Sequence, residues 1–81
     1  MPKASVTIYS RPNCHLCDEA KSAVRAAGCE DEFVLVEVDI DTDPRLIDLY
    51  GNDIPVIFIN DKKAFKHRVD PNEFKRKLAR L

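Results

Sequence analysis

The sequence predicts a small α/β protein with the element order β-α-β-α-β-β-α, its four-stranded mixed sheet flanked by helices. Three observations carry that expectation. Two β-branched, apolar runs are separated by a helical stripe, two later apolar runs are joined by a two-residue turn, and Asp-Pro pairs mark helix starts. At 81 residues the chain has room for one domain, taken as residues 1–81.

Ala4 to Tyr9 alternates and is β-branched, which reads as a strand, and Pro12 breaks it within the loop Ser10-Arg11-Pro12-Asn13. Leu16, Ala20, Ala23, Val24 and Ala27 then form one apolar helical stripe, with Gly28 placed to end the helix in a left-handed conformation. Phe33 to Val38 is apolar at nearly every position, the pattern of a strand buried on both faces. Strand, helix and strand at this spacing make a βαβ unit with parallel strands. Asp43-Pro44 opens a second helix whose apolar face is Leu46, Ile47, Leu49 and Tyr50, and Gly51 ends it. Val56 to Ile59 and Lys63 to Lys66 read as an antiparallel hairpin around Asn60-Asp61. Asp70 as cap, Pro71 at the first position and Glu73 three residues after the cap start a last helix, with Phe74, Leu78 and Leu81 on one face.

Composition excludes several classes of function. Apolar residues at 44% and charged residues at 33% belong to a globular protein and not to a disordered tail. No apolar run approaches the roughly 18 residues of a membrane span, and Met1 to Ser10 lacks the pattern of a secretory signal. Three cysteines are too few, and odd in number, for a disulfide-stapled secreted scaffold, so a cytoplasmic location is expected. The net charge of −1 conceals segregation. Glu30 to Asp53 is acidic with Arg45 its one basic residue, whereas Lys62, Lys63, Lys66, Arg68, Lys75, Arg76, Lys77 and Arg80 make the rest basic. With only Phe65 and Phe74 interleaved, that run reads as a solvated face that steers an acidic partner, and no nucleic-acid partner is expected.

Chemistry concentrates in Cys14-His15-Leu16-Cys17, a C-x-x-C where strand gives way to helix. A thiol at a helix N-terminus meets unpaired N–H groups and the positive end of the dipole, which favour the reactive thiolate. Three residues apart on a helix, the two cysteines share a face within disulfide reach. Cys14, at the entry, is the expected nucleophile, and Cys17, one turn in, the more buried resolving thiol. Half of a zinc site has the same spacing. A complete one needs two more ligands, and only Cys29, His15 and His67 are available, without a second C-x-x-C, so no metal site is assigned. Asp39-x-Asp41-x-Asp43 begins like a calcium loop but fails, with Pro44 where glycine is needed and Tyr50 where the glutamate belongs. Cys29 reads as incidental, Lys21 as a solvated helix lysine, and Tyr9 as packing beneath the loop.

Tyr9-Ser10-Arg11-Pro12-x-Cys14-x-x-Cys17 followed by Ala20-Lys21 resembles a glutaredoxin active-site segment, and Ile54-Pro55-Val56-Ile57-Phe58-Ile59-Asn60 resembles that family's cis-proline signature. The element order is similar to the minimal thioredoxin fold, and the likeness spans nearly the whole chain. The resemblance implies a thiol–disulfide oxidoreductase acting in electron transport through a redox-active disulfide, with Cys14 as nucleophile and Cys17 resolving. It implies that Pro55 is a cis-proline facing Cys14, that the Ile54 backbone hydrogen-bonds an extended substrate, and that Arg11 binds a glutathione carboxylate. It implies no bound cofactor, glutathione as a cosubstrate, a disulfide-bearing protein or small thiol as substrate, and a monomer free of membranes. Two positions depart from the family. Phe65-Lys66-His67-Arg68-Val69-Asp70 lacks the Gly-Gly pair that receives the γ-glutamyl end of glutathione, and His15 replaces a proline as a residue that tunes the thiolate. The alternatives from other classes are an iron–sulfur or metal carrier using Cys14 with glutathione, and a redox-sensing interaction domain with little turnover.

Overall fold

The computed structural model describes residues 3–28 and 30–80, so Cys29 and Leu81 lie outside the described residues. The chain runs β1 (Ala4–Ser10), α1 (His15–Ala26), β2 (Phe33–Asp39), α2 (Pro44–Tyr50), β3 (Val56–Ile59), β4 (Lys62–Lys66) and α3 (Pro71–Ala79). Short 3₁₀ turns at Glu30–Glu32 and Ile40–Thr42 flank β2. This is the order expected from the sequence.

The four strands lie in the order β2-β1-β3-β4. β2 is parallel to β1, with Ala4 opposite Phe33 and Ser10 opposite Asp39. β3 is antiparallel to β1, from Val6 opposite Ile59 to Tyr9 opposite Val56. The hairpin turns at Asn60, whose φ of 56° is tolerated because asparagine visits the left-handed region more readily than most residues. The Asn60 side chain accepts from the Ser5 amide at 3.0 Å while its own N–H donates to the Ser5 carbonyl at 2.6 Å, clamping the hairpin to the start of β1. In β4 the register slips: Ile57 faces Phe65 and Phe58 faces Lys63, which leaves Ala64 bulged out of the ladder.

One face of this sheet carries the core. Val6 and Ile8 of β1, Ile57 and Ile59 of β3 and Phe33 of β2 close against Ala20 and Val24 of α1 and Phe74 and Leu78 of α3. Phe74 meets Phe33 edge-on with ring centroids 5.3 Å apart. The opposite face is thinner. Tyr9 stacks on Tyr50 of α2 at 4.5 Å and meets Phe58 edge-on at 5.6 Å.

Two expectations are corrected here. β2 is not buried on both faces: it is an edge strand, and Val34 is 53% exposed and Val36 42% exposed because α2 does not reach across them. The apolar face assigned to α2 is also too wide. In a seven-residue helix Leu46 and Tyr50, four apart, turn inward, while Ile47 and Leu49 remain exposed. The helix ends follow their caps. Asp43 accepts from the Arg45 amide at 2.9 Å and Asp70 from the Asn72 amide at 2.8 Å, each followed by proline. Glu73 pairs with Arg76 of the next turn. Gly28 sits at φ 72°, the left-handed residue expected after α1.

Phe74 is fully buried and joins α3 to the sheet. Its replacement by alanine is expected to cost about 3–5 kcal/mol. Against a total of roughly 4–12 kcal/mol for a chain of this size, that is a quarter of the stability or more. Urea unfolding measures it, and a loss below about 1 kcal/mol would show that α3 does not anchor the core as described.

Candidate active site

Pro12 and Asn13 turn the chain between β1 and α1, and Asn13 takes the turn at φ 62°. Cys14 follows in extended conformation as the N-cap of α1, and its Sγ accepts a hydrogen bond from the Cys17 N–H at 3.2 Å. Cysteine thus fills the capping position normally held by serine or aspartate, and the helix supplies the donor that stabilises a charged sulfur. The two sulfurs are placed as a disulfide, with Cα atoms 5.2 Å apart. Cys17 is 1% exposed, whereas Cys14 is only partly buried, so Cys14 is the more accessible of the two.

The sheet brings a second segment to this site. Because β3 runs antiparallel to β1 with Tyr9 opposite Val56, the residues just before β3 lie at the end where β1 hands over to the Cys14 loop. There the Ile54–Pro55 bond is cis and Pro55 is buried. The Ile54 N–H is committed to the Tyr50 carbonyl at 3.0 Å, leaving its carbonyl as the backbone group turned to no partner among the described residues. The His67 N–H donates to the Pro55 carbonyl at 2.8 Å and fastens the start of the β4–α3 loop to the proline. His67 itself sits at φ 68°, a left-handed conformation in a stretch where the sequence offers no glycine, and its ring lies 3.8 Å from Asp53.

Arg11 and His15 are placed differently from the cysteines. The Arg11 guanidinium grips one Asp41 oxygen at 2.8 and 3.1 Å, so its charge is shared with the turn after β2. His15 is 89% exposed and lies 3.8 Å from Glu19, one turn along the helix. Lys21, read from sequence as solvated, instead bridges Glu37 of β2 at 3.1 Å and Asp18 at 3.5 Å. Sequence patterns missed both clusters because Arg11–Asp41 and Lys21–Glu37 join residues 30 and 16 positions apart. Two depressions flank the first turns of α1. One of about 180 Å³, between the loop and β2, includes Arg11, Asn13, Asp18, Lys21 and Glu37. The other, about 200 Å³, lies between Leu16 and Ala20 of α1 and His67 to Val69 of the β4–α3 loop. No cluster of three potential metal-ligating side chains occurs among the described residues.

Residues 5–79 match the glutaredoxin-like domain family (DUF836). The chain belongs to that family. It is 36% identical over 75 residues to a glutaredoxin-like protein of Dictyostelium discoideum, covering 85% of this chain and 69% of that protein. The X-ray structure of protein XcR50 from X. campestris superposes with a TM-score of 0.81 at 29% identity, covering 94% of this chain and 97% of that one. Mitochondrial thioredoxin 3 of Saccharomyces cerevisiae, in its oxidised form, superposes with a TM-score of 0.70 at 12% identity over all of this chain and 81% of its own, a likeness of fold alone. The glutaredoxin-like protein therefore has the thioredoxin fold inferred from its sequence. Its Cys14–Cys17 pair at disulfide geometry supports a redox function.

Two groups beside the site hold their protons tightly. Burial, reinforced by neighbouring Tyr50, raises the Tyr9 phenol above its ordinary 10.0. The Glu37 hydrogen bond, against an opposing effect of partial burial, raises Lys21 above 10.5, with Asp18 adding to the effect. In each case the folded chain retains a proton that the unfolded chain has begun to lose. The contribution of these two groups to stability is therefore expected to be constant up to about pH 10 and to fall as pH rises through the folded values. Denaturant midpoints between pH 9 and 11.5 measure this, with Tyr9→Phe plus Lys21→Met reducing the slope. An unchanged slope in the double variant would remove these residues as its source.

Proposed function

We propose that this glutaredoxin-like protein is a dithiol–disulfide oxidoreductase. The observation that carries the reading is the asymmetry of the pair: Cys14 caps α1 and is accessible, while Cys17 is buried one turn behind it. In the proposed cycle the Cys14 thiolate attacks one sulfur of a substrate disulfide. A Cys14–substrate disulfide forms and the other substrate sulfur leaves as thiolate. Cys17, on losing its proton, attacks Cys14 Sγ and displaces the second substrate sulfur. The substrate has gained two electrons and the protein holds the Cys14–Cys17 bond. An external dithiol, or two monothiols in succession, returns the electrons.

The proposed substrate is a disulfide-bearing protein or a small mixed disulfide, acted on by a monomer in a reducing cytoplasm; the electron donor is glutathione or, since the Gly-Gly pair is missing, another thiol or a thioredoxin-reductase-type system. The wall formed by Ile54 and the buried cis Pro55 supports approach of an extended chain, since the free Ile54 carbonyl can accept from a substrate N–H. Arg11 contributes to substrate capture only by exchanging Asp41 for a ligand carboxylate, at small cost because the pair is partly exposed.

The deciding experiment is titration in glutathione redox buffers in a Cys29→Ser background, quenched by alkylation and read by intact mass. Fast two-electron interconversion at roughly −180 to −270 mV supports the reading. Thiols that fail to equilibrate would refute it. Cys17→Ser is expected to accumulate a mixed disulfide at Cys14, while Cys14→Ser abolishes exchange. Equal activity of the two single variants would overturn the division of labour.

A further inference from the structure

A depression of about 260 Å³ lies away from the Cys14–Cys17 pair. It is lined by Ile59 at the end of β3, Lys62, Lys63 and Ala64 of β4, and Lys77 and Arg80 at the end of α3. Ile59 lies opposite Val6, near the start of β1, whereas the cysteines follow the far end of that strand. The two sites therefore occupy opposite poles of the sheet.

The bulge in β4 builds one wall. Ala64, left out of the ladder, turns its carbonyl to the Lys77 ammonium, which donates to it at 2.7 Å while lying 4.5 Å above the centre of the Phe65 ring. An ammonium has three donors, so Lys77 is fixed in place with two to spare. None of the four cations is within ion-pair distance of a carboxylate among the described residues, in contrast to Arg11, Lys21, Arg45 and Arg76. Asp61, in the hairpin, is the nearest acidic residue in sequence. The acidic turn Glu30–Glu32 leads into β2, the opposite edge strand.

We propose that this depression is a docking site for an acidic polypeptide segment carrying an apolar residue between its carboxylates. The apolar side chain sits on the half-buried Ala64, beside the edge of the largely buried Ile59, and the carboxylates meet Lys62, Lys63, Lys77 and Arg80. Two features select this class of ligand, and the four cations outweigh the negative end of the α3 dipole, which disfavours any anion there. The last carbonyls of that helix suit the N–H groups of a polypeptide. Lys77 covers the face of Phe65, which removes the stacking platform that single-stranded nucleic acid uses. Self-pairing of the basic edge with the acidic edge of another copy would be heterologous, giving rings or filaments and not a two-fold dimer. Docking here leaves Cys14 uncovered, and is independent of whether Cys14 turns over.

The test is an amide NMR titration of the whole chain with a synthetic octapeptide, Glu-Asp-Leu-Glu-Asp-Ile-Glu-Asp. The expected result is saturable shifts centred on Lys62, Lys63, Ala64, Lys77 and Arg80, with those of Cys14 and Cys17 unmoved. Affinity is expected to fall at least tenfold in Lys62→Glu plus Lys63→Glu, both exposed changes, and severalfold in Lys77→Met. Rising salt should weaken binding in the same direction. Binding of the Gln/Asn version of the peptide with equal affinity would overturn the proposal, as would shifts centred elsewhere or absent, or unaltered affinity in the charge-reversal variant. It would equally fail if inorganic phosphate or octathymidylate bound this surface more tightly than the peptide, or if the chain's own self-association produced the shifts.

Discussion

The antiparallel pairing of β3 with β1 is the constraint on which the site depends. It is a contact between segments about fifty residues apart, with Tyr9 set opposite Val56. That register places the loop after β1 and the turn before β3 at one end of the sheet. The Cys14 cap and the Ile54–Pro55 wall therefore become neighbours although neither segment encodes the other. Val6, Ile8, Ile57 and Ile59 hold the register because they all point to one face, where Val24 and Phe74 cover them. A slip of β3 by one residue would turn Ile57 and Ile59 away from that face, which is why so short a β3 is specified so firmly.

Much of this arrangement was legible in the chain. Local signals did well: the Asp-Pro starts of α2 and α3, Gly28 after α1, the Asn60 turn, and the C-x-x-C at a strand-to-helix junction all act within a few residues of themselves. Cys17 was expected to be the buried thiol because it lies one turn inside the helix, and it is. Failures came where the answer depended on the order of strands. The apolar run of β2 looked like a central strand, but β3 inserts on the other side of β1 and leaves β2 at the edge. Arg11 and Lys21 were read without partners, since Asp41 and Glu37 come near them only once β2 is laid parallel to β1.

Charge is distributed by the same topology. The acidic middle of the sequence contributes β2 and the turns around it, and the basic remainder contributes β4 and α3, so the two populations are carried to opposite edges of the sheet. Near the cysteines, by contrast, cations are paired with acids, as in Arg11–Asp41 and Lys21–Glu37. What lies closest to the Cys14 sulfur is therefore the helix end and the Cys17 amide, not an unpaired side-chain cation.

The slight anchoring of α2 has a consequence for motion. None of its residues is fully buried, and Tyr50 is its aromatic tie to the sheet. An element with so little apolar burial opens at lower free energy than the core helices and exposes its amides to exchange sooner. Tyr50 also supplies the carbonyl that holds the Ile54 and Asp53 N–H groups. An opening of α2 would thus free the Ile54 amide and loosen the rim beside Pro55 without touching the Cys14 cap, which belongs to α1.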